Sequence, residues 1–198
     1  TPNPMRKALL FGLVSVFLCA MGFGIVIPVI PFLVQPYVQH GADQAVIVAW
    51  LTSIYAICVF IASPGLGALS DRYGRRPVLL FCLLGSAVGY TLFGIGGALW
   101  VLFAGRIIEG ITGGTIATLF AYFADITPAE QRTRYFGWIG AAAGVGTIIG
   151  PALGGLLAGI SYTAPLYFGA LITIVNALYG WRYMPESLAP ELRLDRIS

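Results

Sequence analysis

Six long apolar runs, separated by short polar stretches, constrain this chain more than any other feature. They fall at 8–34, 45–69, 77–97, 99–125, 135–160 and 163–184. Each is long enough to cross a bilayer, which takes about 20 helical residues. Charged residues make up 10% of the chain, against roughly 25% in a soluble domain. A mean hydropathy of +0.87 leaves too little polar surface to clothe a globule. The 26 glycines and 12 prolines would break soluble helices, whereas membrane helices tolerate them because neighbouring groups satisfy the freed backbone. The expected fold class is an all-α membrane protein, a six-transmembrane-helix bundle over 1–184. The stretch 185–198 is polar and punctuated by proline, and reads as the start of a cytoplasmic linker or tail.

Charge sets the expected orientation. Arg6 and Lys7 precede the first run. Arg72, Arg75 and Arg76 lie between the second and third, and Arg132 and Arg134 between the fourth and fifth. Arg182 closes the sixth, and Arg193 and Arg196 lie in the tail. The opposite loops hold no Lys or Arg. By the positive-inside rule the basic side is cytoplasmic, with both termini inside. Trp50, Trp100 and Trp181 fall near span ends, and Trp138 lies early in the fifth, as interfacial anchors do. The basic residues are scattered between apolar runs, so nucleic-acid binding is not expected. Cys19, Cys58 and Cys82 each sit inside an apolar run with no CxxC and no His/Cys cluster, so no metal or disulfide is expected. The first run is too long for a cleavable signal and is followed by further spans. No phosphate-cradling loop and no metalloprotease motif occurs, so no ATPase or other enzyme activity is expected.

Four stretches stand out. Gly67-Ala68-Leu69-Ser70-Asp71-Arg72-Tyr73-Gly74-Arg75-Arg76 is the longest charged interruption, and reads as a tight hairpin pinned to one side of the membrane. Asp125, ending the fourth run on that side, is an electrostatic partner for Arg72, Arg75 or Arg76. In the fourth run, Arg106 and Glu109 are three apart and share a helix face. A charge at that depth costs about 2.5–3.5 kcal/mol, and a packing role alone would be served at least as well by apolar residues. The pair therefore reads as a polar centre facing a water-filled cavity. In the fifth run, Ala142, Gly146, Gly150, Gly154 and Ala158 recur every four residues and make a smooth groove for another helix, with Gly137, Pro151 and Gly155 beside it. Pro28 and Pro31 should kink the outer third of the first helix. Phe23, Gln35, Tyr55 and Asn176 are candidates for contact with a substrate.

These motifs resemble the major facilitator superfamily. Gly67-x-Leu69-x-Asp71-Arg72-x-Gly74-Arg75-Arg76 is similar to its loop signature between helices two and three. Arg106-x-x-x-Gly110 is similar to its helix-four signature, and Gly137, Gly146, Gly150-Pro151 and Gly154-Gly155 to the helix-five signature of its antiporters. The resemblance is greatest to the bacterial tetracycline/proton antiporter and multidrug efflux branch, through Met21-Gly22-x-Gly24, Pro28-x-x-Pro31 and Phe136-Gly137-Trp138. It implies a six-helix half with a 3+3 inverted repeat, although no repeat shows in the sequence itself. It implies that Gly67, Asp71, Arg72, Gly74, Arg75, Arg76 and Asp125 form a conformational latch, with Arg75 and Asp125 as a charge relay. It implies a part in proton coupling for Arg106, and a seal against the second half for the glycine groove. The tetracycline group carries an acid in helix one, where this chain has Leu18-Cys19-Ala20-Met21-Gly22. It carries another in helix three, where this chain has Ser86-Ala87-Val88-Gly89-Tyr90. Both acids are absent, so the proton-carrying duty is expected at Glu109.

The expected function is half of a secondary active transporter, a proton-coupled antiporter exporting a drug-like or small organic molecule by rocker-switch alternating access. The alternatives are a facilitator or symporter of a neutral solute, and a membrane module without transport of its own. The proton gradient is the expected energy source, with no cofactor and no metal. The expected partners are a small-molecule substrate, the bilayer, and a second six-helix half supplied by the same polypeptide or by a homodimer partner. The expected location is a bacterial inner membrane.

Overall fold

The computed structural model describes residues 4–192. They fold into six helical spans and, among the described residues, no strands. Span 1 is Met5–Tyr37, span 2 Gly41–Tyr73, span 3 Arg75–Ile95, span 4 Leu99–Ile126, span 5 Ala129–Ala158 and span 6 Ala164–Tyr183. Every apolar run of the sequence is recovered, and all six are long and apolar enough to cross a membrane. The basic residues Arg193 and Arg196 lie outside the described residues.

The bundle has internal symmetry. Span 1 packs along span 5 as span 4 packs along span 2. Span 3 meets span 4 as span 6 meets span 1. Exchanging spans 1, 2 and 3 for 4, 5 and 6 reproduces the pattern of neighbours, which is the 3+3 repeat. Spans 1, 3, 4 and 6 are about half buried in their most apolar windows. Spans 2 and 5, by contrast, have few buried residues in theirs, the remainder being a mixture of half-buried and exposed. Trp50, Trp100, Trp138 and Trp181 are all exposed.

Three local features of the spans have physical causes, one of them the expected proline kink in span 1. Gly67–Arg76 is not a loop. Span 2 stays helical to Tyr73 and span 3 starts at Arg75, so the hairpin turns on Gly74 alone, at φ +106°. That backbone conformation strongly favours glycine, and a Cβ there would also overlap the Glu186 carboxylate. Span 1 stops as an α-helix at Val26 and continues as a 3-10 turn (Ile27–Val29), a short helix (Ile30–Val34) and a second 3-10 turn (Gln35–Tyr37). Pro28, Pro31 and Pro36 remove the amide donors that a continuous helix needs. Span 4 is likewise broken, into Leu99–Ile111 and Thr115–Ile126. The interruption falls on Gly113 and Gly114, and Thr112 Oγ1 turns back onto the Ile108 carbonyl at 2.8 Å.

The stretch after residue 184 begins packed on the bundle. Met184 and Leu188 are buried, and the Tyr122 hydroxyl donates to the Pro185 carbonyl at 3.2 Å.

Candidate functional site

Two polar clusters occupy different depths of the bundle. The deep one is built on span 4. Arg106 Nη1 donates to Glu109 Oε2 at 2.8 Å, with the residues 3% and 4% exposed. The Tyr55 ring of span 2 covers the guanidinium, 4.3 Å from its carbon. Arg106 Nε has no acceptor. Glycines bring the neighbouring backbones this close. A Cβ on Gly110 would fall 2.8 Å from the Tyr55 carbonyl, and one on Gly89 would fall 2.9 Å from the Glu109 Cβ. The pair is thus clamped between spans 2 and 3 with no room for a side chain in between.

Glu109 borders a cavity of about 320 Å³ between spans 1, 2, 3, 4, 5 and 6. Its walls are largely apolar or aromatic, with Phe23 and Tyr55 in ring contact at 5.8 Å and Tyr90 on span 3. Thr147 and Thr173 also line it, each hydroxyl donating to a carbonyl of its own helix. These hydroxyls therefore turn acceptor lone pairs to the cavity. The break in span 4 reaches the same space through Gly113 and Thr115. Among the described residues Glu109 is the one carboxylate on the lining, and its charge is balanced by Arg106.

The second cluster lies at the basic end. Arg75 Nε donates to Asp125 Oδ2 at 2.9 Å, while its Nη1 reaches Asp71 Oδ1 and Ser70 Oγ, both at 2.6 Å. Ser187 Oγ donates to the same Asp125 oxygen at 3.0 Å. Glu186 caps span 3, its carboxylate accepting the Arg75 amide at 2.8 Å and the Arg76 amide at 3.3 Å. An acid at a helix N-terminus satisfies orphan donors and complements the dipole. Arg76 binds the Trp181 carbonyl, and Arg72 lies over the Tyr73 ring at 5.5 Å. Of the three arginines, then, Arg75 alone meets Asp125.

The structure redistributes the other expected residues. Phe23 and Tyr55 line the cavity. Gln35 does not, because it is exposed in the terminal 3-10 turn of span 1. Asn176 sits one turn beyond Thr173, its Oδ1 accepting from buried Ser15 at 2.9 Å and its Nδ2 lacking an acceptor. The glycine groove needs a correction. Cβ atoms on Gly146, Gly150 and Gly154 would fall 2.6, 2.6 and 2.5 Å from the carbonyl oxygens of Phe17, Met21 and Ile25. That stripe seals span 5 against span 1 of the same bundle, and its face is used up there. Gly137, Gly140, Gly144 and Gly155 meet nothing within 4 Å, and Pro151 is exposed. Sequence reasoning missed Tyr90, Glu186 and Ser187. The Pro185-Glu186-Ser187 stretch looks like plain linker until its fold back onto Gly74 is seen.

The geometry is that of a membrane bundle with a polar centre beside a cavity. The sequence profile of the Major Facilitator Superfamily matches residues 12–196. The chain belongs to that superfamily. Its relatives include the class C tetracycline resistance protein of Escherichia coli, 46% identical over 95% of this chain and 47% of that protein. Another is multidrug resistance protein 2 of Bacillus subtilis, 31% identical over 96% of this chain and 47% of that protein. Among solved structures it is similar to the human organic anion transporter MFSD10, with a TM-score of 0.82 and 25% identity over 96% of this chain and 50% of that one. The D-xylose–proton symporter shares the fold at a TM-score of 0.75 and 16% identity, over 93% of this chain and 49% of that one. The chain spans about half the length of the curated relatives it matches. Its six apolar helices and its superfamily make it an integral multi-pass membrane protein.

Proposed function

We propose that this bundle is one half of a proton-coupled antiporter that exports a drug-like or small organic molecule by rocker-switch alternating access. The observation that carries the reading is the buried Arg106–Glu109 pair on the wall of the cavity. A carboxylate held there changes its bond to Arg106 when it takes up a proton, and the freed guanidinium then interacts differently with spans 2 and 3. That is a differential interaction of the kind a proton must make to shift a conformational equilibrium. The tetracycline and multidrug resistance relatives support the cargo class. The cavity is mainly apolar and aromatic with a few acceptor oxygens, as binding sites for small organic molecules are.

On this reading the basic end faces the cytoplasm, in a bacterial inner membrane, and both termini lie inside. The Asp71–Arg75–Asp125 cluster latches that end when the cavity opens outward, and Glu186 and Ser187 tie the outgoing chain into the same latch. The exposed face of span 2 and, apart from the Tyr135–Trp138 edge, that of span 5 meet a second six-helix bundle, from the same polypeptide or a second copy. The proton gradient supplies the energy. The test is tetracycline uptake into inverted vesicles carrying the full chain, driven by an imposed pH gradient. Glu109→Gln should abolish the dependence on the gradient while leaving insertion intact. A variant that still couples uptake to the gradient would refute the assignment.

A further inference from the structure

Spans 1 and 5 diverge at the basic end and leave a lateral groove of about 410 Å³. Leu10 and Leu13 supply its apolar floor. Tyr135 and Trp138 wall it in T-shaped contact, ring centroids 5.4 Å apart. Arg6 stands at its rim, and Arg134 lies over the Trp138 ring at 5.1 Å. The two helix starts that frame it carry four cations, Arg6, Lys7, Arg132 and Arg134, against one acid, Glu130. None of these cations takes part in the ion pairs found among the described residues. Elsewhere at this end Arg75 is held by two carboxylates and Arg76 by a carbonyl.

The geometry points to a binding site for an anionic glycerophospholipid. Its phosphate would sit between Arg6 and Arg134, its glycerol level with Tyr135 and Trp138, and one acyl chain along Leu13 and Leu10. Each part matches what its neighbour requires. Cations without a carboxylate partner at the membrane surface attract anionic headgroups. Tyr and Trp favour the interfacial layer. A half-exposed leucine floor, with Leu10 at 59% exposure, is covered by hydrocarbon at no cost in polar groups. The inference rests on membrane embedding and does not depend on the transport reading.

The test is native mass spectrometry of the full chain, delipidated and titrated with equimolar phosphatidylglycerol and phosphatidylcholine in mixed micelles. The wild type should retain phosphatidylglycerol preferentially. Arg6→Gln should lower that retention about fivefold, the electrostatic share of one basic residue at an anionic surface, and leave phosphatidylcholine unchanged. Arg182→Gln, at the same end but away from the groove, should change neither. Trp138→Ala should lower retention of both lipids without reversing the preference. Equal retention of the two lipids by the wild type would overturn the proposal. So would an equal loss in Arg182→Gln, which would reduce the effect to net charge. Leu10→Cys that cross-links to another part of the protein, with no phosphatidylglycerol retained, would also overturn it by showing that protein fills the groove.

Discussion

Arg106 and Arg75 each hold a carboxylate at nearly the same distance, 2.8 and 2.9 Å, yet the two bonds belong to different physical regimes. Arg106 and Glu109 are buried among apolar groups, where desolvation is severe and an uncompensated charge is expensive. Arg75 sits at the membrane surface, its side chain 11% exposed beside Asp125 at 21% and Asp71 at 45%, so water screens these bonds more than the deep one and each is worth less. The deep pair is therefore a strong two-state element, stable when whole and costly when half removed. The surface cluster is a weak one, easily made and broken, which suits a latch that must open every cycle.

The contrast is broken most forcefully at Glu109. Glu109→Leu strands Arg106 and should cost about 3–5 kcal/mol, read as loss of thermal stability in detergent. Arg106→Met with Glu109→Leu should recover most of that loss, since apolar replacement of a whole buried pair is often neutral. Next in size is the contact of spans 1 and 5. Gly150→Ala drives a methyl into the Met21 carbonyl and should cost about 1–3 kcal/mol, whereas Gly155→Ala meets open space and should stay within about 0.5 kcal/mol. Glu186→Ala removes a helix cap and should cost about 1 kcal/mol, with faster hydrogen exchange at the Arg75 and Arg76 amides as its signature. Asp71→Asn should have the smallest effect on stability, within about 0.5 kcal/mol. It should nonetheless insert normally and lose transport, because it weakens the latch and leaves the fold alone.

What could be read from the chain divides along the same physical line. The spans were legible because hydropathy over 20 residues is an additive signal, and all six apolar runs became helices. The Arg106–Glu109 pair was legible because charges in an apolar chain have few places to go; the same reasoning narrowed the partner of Asp125 to Arg72, Arg75 or Arg76, and the family resemblance pointed to Arg75. Other partners set by tertiary contact were not legible. The four-residue glycine period is the same whether the stripe faces span 1 or another bundle, and only the crossing of spans 1 and 5 chooses between them. Glu186 follows the last span in a polar stretch, and nothing local distinguishes a capping acid from a solvated one. The one-residue hairpin at Gly74 was hidden because Gly67–Tyr73 carries charge that reads as loop but sits comfortably on a helix end beyond the lipid.

The central claim is that Glu109 carries the exchanged proton, and pH-difference infrared spectroscopy of the full chain tests it without needing a substrate. The account predicts a protonated-carboxyl C=O stretch that appears on acidification, vanishes in Glu109→Gln, and survives in Asp71→Asn and Asp125→Asn. A band that persists unchanged in Glu109→Gln would contradict it.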